Sequence, residues 1–134
     1  MLPRRRVLHN SPFEAKPPER GSRRWLVAEL DWLVSVIVRR RDRRCVTCGE
    51  TRGLQCSHFY SRRHLRTRFD LRNCNAMCAG CNRRHNEDPE PYLLFMLERY
   101  GAGTVAELES LRDGTGKVTD EELWQTLERL RAPA

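Results

Sequence analysis

The chain has 134 residues, of which 39% are hydrophobic and 32% charged, enough apolar mass for one small domain. Its longest apolar run, residues 32–38, is broken by Ser35 and falls far short of the roughly 20 residues a membrane helix needs; the basic N-terminus has no apolar segment behind it, so neither a membrane partner nor secretion is expected. The net charge is +7, all but Lys16 and Lys117 of the 25 basic residues are arginine, and the excess lies in residues 1–88, while residues 89–134 carry a net charge of −4. Arginine's planar fork matches phosphate, so the pattern points to a polyanionic partner.

Residues 1–21 read as a flexible basic arm, with Pro3, Pro12, Pro17, Pro18 and Gly21 breaking any periodicity and Arg4, Arg5 and Arg6 clustered near its start. Residues 22–44 read as an N-terminal helix and its end. Ser22 is the expected N-cap, and Leu26, Leu30, Leu33 and Ile37 share one face, widened by Trp25, Trp32 and Val34. The run Arg39, Arg40, Arg41, Asp42, Arg43, Arg44 leads into Cys45; it serves nucleic acid or simply a solvated helix end. Residues 45–101 form the core, with a β-hairpin expected around residues 45–60. Pro91 and Gly101 bracket a helix bearing Tyr92, Phe95, Met96 and Tyr100. Residues 102–134 hold two further short helices, at about 104–112 and 119–131, each opened by a Thr-x-x-Glu capping box. The stripe Leu123, Trp124, Leu127, Leu130 is core or a dimer face.

Six cysteines are about 4% of the chain, too few for a disulfide scaffold at roughly 8–10%. Their spacing is more informative. Cys45-x-x-Cys48 and Cys78-x-x-Cys81 lie 29 residues apart, and two such pairs supply the four thiolates of a closed tetrahedral zinc site. A redox pair would not need its duplicate. Cys56 and Cys74 are left over and read as small buried residues.

Inside the loop, His58 stands on the expected strand, Asn73 lies five residues before Cys78, and Asn82 follows Cys81. This His–Asn–Asn pattern around a CxxC resembles that of HNH (ββα-metal) nucleases. The resemblance implies an α+β fold, a small zinc-stapled ββα-metal core flanked by the N-terminal helix and the C-terminal helices. It implies a catalytic role for His58, Asn73 and Asn82: His58 as the general base, Asn82 as a ligand of a catalytic Mg²⁺ or Mn²⁺, and Asn73 bracing the loop that orients His58. Phosphodiester hydrolysis asks for such a base and for a Lewis acid at the phosphate. HNH enzymes commonly carry an aspartate ligand where this chain has Ser57, which leaves the second ligand open among Asp70, His85, water and phosphate. His85 is a candidate for the ion or the phosphate, and Arg62, Arg63, Arg66, Arg68, Arg83 and Arg84 are candidates for phosphate contacts.

The stretch LQCSHFYSRRHLRTRFDLRNCNAMCAGCNRRHNEDPEPYLLFMLERYG, with the arginine-ended helix running into Cys45-Val46-Thr47-Cys48-Gly49, resembles the NinG (Rap) family of lambdoid phage recombination proteins over about residues 25–112. A small residue before the histidine is the norm there. That resemblance implies an endonuclease selective for branched DNA, such as Holliday junctions and D-loops, acting in the cytoplasm of a bacterial host. A two-fold homodimer through the acidic C-terminal helices would place two sites on two strands. The competing readings are a non-catalytic zinc-stabilised nucleic-acid-binding module, which leaves the His–Asn–Asn spacing without a purpose, and a protein-interaction adaptor, which leaves the arginine excess without one.

Overall fold

A computed structural model describes residues 18–132. Most of the predicted arm, with Arg4, Arg5 and Arg6, lies outside the described residues. The first helix, α1, spans Arg23–Asp42. Its start is fixed by Ser22, whose hydroxyl accepts from the Trp25 amide at 3.2 Å. Its end is fixed by Arg43 in a left-handed conformation (φ 63), which returns its N–H to the Arg39 carbonyl. Leu26, Leu30 and Leu33 are buried as their spacing predicts. Ile37 is only half-buried, and Val34, Val36 and Val38 take the inner positions toward the C-terminal end.

The sheet differs from the local hairpin expected around residues 45–60. Strand β1, Gln55–His58, pairs antiparallel with β2, Cys74–Met77, in the register Gln55↔Met77 to His58↔Cys74. The chain between them, residues 59–73, carries the single-turn helix α2, Leu65–Arg68. Residues 45–50 cannot pair with β1 because they close on themselves: the Cys45 amide donates to the Glu50 carbonyl at 2.7 Å, and the Gly49 amide to the Cys45 carbonyl at 2.9 Å. The Val46 amide docks this knuckle on the Ala76 carbonyl at 2.9 Å.

Helix α3, Ala79–Arg84, leaves β2 directly. Helix α4, Glu90–Arg112, is broken at Gly101 (φ 86), whose left-handed backbone separates the two helical stretches the sequence predicts there. Helix α5, Asp120–Arg131, opens with a complete capping box between Thr119 and Glu122. The architecture is thus α+β, with one two-stranded sheet among helices. No helix among the described residues is long and apolar enough to cross a membrane.

Strand β2 is buried along its whole length. One core cluster joins α1, Cys74, Ala76, Leu123 and Leu127; the other joins Cys45, Met77, Tyr92, Met96 and Leu108. The sheet is therefore covered on both faces. Leu123 and Leu127 are spent in the core, and Trp124 packs on Trp25 at 5.8 Å. Leu123 and Leu127 of the C-terminal stripe are therefore core, with Trp124 and Leu130 partly buried against it.

Candidate functional site

The two CxxC pairs meet. The sulfurs of Cys45, Cys48, Cys78 and Cys81 all lie within 4.8 Å of one another, and those of Cys48 and Cys78 are 3.7 Å apart. A tetrahedral site with Zn–S bonds of about 2.3 Å has sulfur–sulfur edges of about 3.8 Å, so the donor set and its spacing fit zinc. Each pair sits where the backbone helps it. Cys78 is the N-cap of α3 and its sulfur accepts from the Cys81 amide at 3.5 Å. Burial pushes the Cys45 thiol up, but hydrogen bonds from the Thr47 side chain and from the Cys78, Thr47 and Cys48 backbone outweigh it and bring the thiol to about 6. These four residues could hold zinc and staple α1's end to β2 and α3.

His58 ends β1, and one ring nitrogen, Nε2, lies 3.0 Å from the Arg68 carbonyl. Burial, aided by the charges of Arg62 and Arg68, pushes its imidazole down to about 4, against the opposing effect of the Arg68 carbonyl. The ring is therefore neutral at pH 7 and donates Nε2–H to that carbonyl, which leaves Nδ1 as the basic atom.

Asn73 fixes the loop that supplies the carbonyl. It is completely buried. Its Oδ1 accepts from the Tyr60 amide at 2.8 Å, and its Nδ2 donates to the Tyr60 and Thr67 carbonyls, both at 3.1 Å. The Phe59 amide donates to the Asn73 carbonyl at 2.9 Å. Asn73 thereby ties the start of the 59–73 excursion to its returning half.

Asn82 lies on α3 and donates its amide to Gln55 Oε1 at 3.0 Å. His58, Asn82 and His85 all line one cleft of about 690 Å³, together with Gln55, Arg62 and Asn86. The cleft has room for a phosphodiester and a hydrated ion. His85 is firmly held, with one ring nitrogen on a backbone carbonyl as metal-bound histidines commonly have it. Its Nε2 is 2.9 Å from the Phe59 carbonyl, its ring packs against Phe59 and Tyr92, and its Nδ1 is buried without a partner among the described residues.

Several expectations are corrected. Ser57 is buried, its hydroxyl has no partner among the described residues, and it does not line the cleft; strand alternation turns it away from His58. Asp70 is engaged by Arg72 in a two-point pair at 2.8 and 3.0 Å and lines a different cavity. Among the arginines, Arg68 is clasped by Asp31 at 2.6 and 2.9 Å, and Arg66 caps the carbonyls of Thr115 and Gly116. Both hold the fold together, so they are withdrawn as phosphate contacts. Arg62 also reaches Asp31, at 3.0 Å, but stays exposed on the cleft wall. Arg63, Arg83 and Arg84 are exposed.

Sequence reasoning missed Gln55 and Asn86, which line the cleft. Asn86 follows Asn82 by one helical turn, a spacing that could have found it. It also missed the polar knot behind the sheet, for which the sequence holds no signal. Asp42, nearly inaccessible, receives Arg41, Arg99 and the Ala76 amide. Arg41 in turn donates to the carbonyls of Leu71 and Cys74 and to Asn75. The basic run before Cys45 is thus partly structural.

The comparisons with known proteins follow the same residues. A curated NinG protein from Salmonella phage P22 is 31% identical over 97 residues, covering 66% of this chain and 46% of its own length. Those of Escherichia phage 933W and Escherichia phage lambda are 30% and 29% identical over the same span and shares. The chain spans about half the length of the curated relatives it matches. No solved structure matches. The family model for the bacteriophage lambda NinG protein matches residues 19–133, nearly all of the described fold, and the chain accordingly belongs to the NinG family.

Proposed function

We propose that this chain is a metal-dependent endonuclease of the HNH type that hydrolyses DNA phosphodiester bonds. The observation that carries the reading is the convergence of His58 and Asn82 on one cleft, with the His58 ring held neutral and its tautomer set by the Arg68 carbonyl, next in the chain to the Thr67 carbonyl that Asn73 holds. His58 Nδ1 accepts the proton of the attacking water. Asn73 keeps the Arg68 carbonyl against the ring, so the imidazolium that forms is stabilised in place. Arg62 on the cleft wall neutralises phosphate charge, and Arg83 and Arg84 behind Asn82 extend the contact along the strand. A Mg²⁺ or Mn²⁺ held through the Asn82 carboxamide oxygen would supply Lewis acidity at the phosphate and the leaving oxygen. The four-cysteine centre, filled with zinc, keeps α3 and β1 at this spacing. The kinship suggests branched recombination intermediates of a phage, in the host cytoplasm, as the substrate; phosphate contacts alone carry no sequence preference, so the choice would be made by shape.

One observation favours a second reading, a zinc-stapled module that binds nucleic acid without cutting it: among the described residues, no carboxylate lines the cleft. The two readings part in a nicking assay on a four-way junction, a flap and a plain duplex, with magnesium, manganese or EDTA. The nuclease reading expects metal-dependent cleavage that His58→Ala reduces by about 100-fold or more while junction binding persists. Equal cleavage by His58→Ala refutes the assignment of the base. Binding without cleavage under every metal establishes the second reading.

A further inference from the structure

Cys56 and Cys74 take no part in the four-cysteine centre, yet they are not isolated. The register sets His58 directly opposite Cys74, and Cys56 lies two residues before His58 on the same strand. All three side chains therefore project from one face of the sheet. Their donor atoms lie within 4.8 Å of one another. We propose that Cys56, His58 and Cys74 form a second, soft-metal site, and that zinc bound there removes the His58 imidazole from the cleft.

The chemistry and the geometry agree. Two thiolates and an imidazole are a zinc donor set. Closing them to tetrahedral ligand–ligand spacing needs a contraction of about 1 Å at most. Cys74 Sγ and His58 Nε2 share the Arg68 carbonyl, at 3.3 and 3.0 Å, which fixes the thiol beside the ring and leaves Nδ1 as the nitrogen open to a metal. A divalent ion with two thiolates and a neutral imidazole carries no net charge, which suits a site flanked by the core. Binding displaces two thiol protons to solvent and leaves His58 without a free lone pair. A second cavity, of about 410 Å³, gives access from solvent; Cys56 and His58 line it with Asp31 and Ser35. Water entering from that side would complete the coordination.

The metal site stands on its own geometry, while its inhibitory effect rests on the nuclease reading. The test uses the full chain. Zinc content after exhaustive dialysis against a weak chelator, and titration with cobalt(II) followed by thiolate charge-transfer absorption, should show about two metal equivalents in wild type. Cys56→Ala, at a half-exposed position, should retain only one, and a Cys56→Ser variant should behave alike. One equivalent in wild type, or equal content in wild type and both variants, overturns the site. With magnesium present, the second zinc equivalent should lower junction cleavage by about 100-fold, the share of a general base, and should leave Cys56→Ala cleaving at its one-zinc rate. If the second equivalent binds and cleavage continues unchanged, the inhibition is refuted. If nothing is cut at any zinc load while two equivalents still bind, the nuclease reading fails and the second metal site survives.

Discussion

Asn73 offers the sharpest test of how the loop is held. Its buried carboxamide makes three hydrogen bonds that close residues 59–73, to the Tyr60 amide and to the Tyr60 and Thr67 carbonyls. Asn73→Ala leaves all three backbone groups without this partner, the Thr67 carbonyl in a buried position. At about 1 kcal/mol for each lost bond, the cost is about 3 kcal/mol, and unsatisfied burial adds to it. Urea unfolding of the zinc-loaded chain should therefore show a midpoint lowered by about 1.5 M. Asn73→Asp keeps the shape and the acceptor for the Tyr60 amide, loses both donated bonds and buries a charge. Burial raises that carboxyl's pKa in the folded state, so the folded chain gains a proton on acidification before the unfolded one does. Relative to wild type, Asn73→Asp should consequently lose more stability at pH 7 than at pH 4.5. A destabilisation by Asn73→Ala under about 1 kcal/mol, or an Asp variant whose deficit is independent of pH, would refute the account of the loop as tied through this one side chain.

Burial holds the His58 imidazole at about 4, so between there and an unfolded value of about 6.5 the unfolded chain binds the extra proton. The stability this group lends is complete above that window and is lost as pH falls through it, by at most about 2 kcal/mol between pH 7 and pH 5; His58→Gln should flatten that part of the pH dependence, and an unchanged slope would contradict it. Arg83→Ala and Arg84→Ala should each weaken DNA binding and lower the log–log salt slope by about 1. Arg66→Ala, which removes the bonds to Thr115 and Gly116, should instead cost about 1 kcal/mol of stability and leave the slope unchanged. Stripping the four-cysteine centre with a strong chelator, or Cys78→Ser, should lower the melting temperature and expose the core to proteolysis; an unaltered melt would show that the sulfurs do not carry a structural ion.

Much of the frame was legible because it is written in local patterns. The face of α1, its Ser22 cap, the Thr119 capping box and the break at Gly101 all follow from spacing within one or two turns. The CxxC pairs announced their meeting because four thiols at that interval have few other uses. The strand pairing was not legible. Residues 54–60 have strand-like composition, whereas Cys74-Asn75-Ala76-Met77 does not; β2 is a strand because α1 and α4 bury it from both sides. That cause is tertiary and outweighs propensity. The arginines misled for a related reason. Arg66 and Arg68 look like their neighbours in composition, and only the fold reveals Asp31 and the Thr115 carbonyl waiting for them. In the cleft, the sequence supplied His58, Asn82 and His85 but not Gln55, whose role depends on a strand end meeting α3.

The 59–73 excursion is anchored chiefly along its returning half, by Arg66, Arg68 and Asn73, with one further tie from Arg62 to Asp31. Ser61, Arg62 and Arg63 at its tip are exposed, while the groups that set the His58 ring, Arg68 and Asn73, lie at or near the returning end. Residues inserted at the tip would lengthen the reach of the loop over a bound strand without disturbing the imidazole, since added surface loop costs little closure entropy. Under the proposed nuclease function, reach and reactivity would be separable in this fold, and a lineage could retool which DNA shapes it embraces while the proposed cutting chemistry stays untouched.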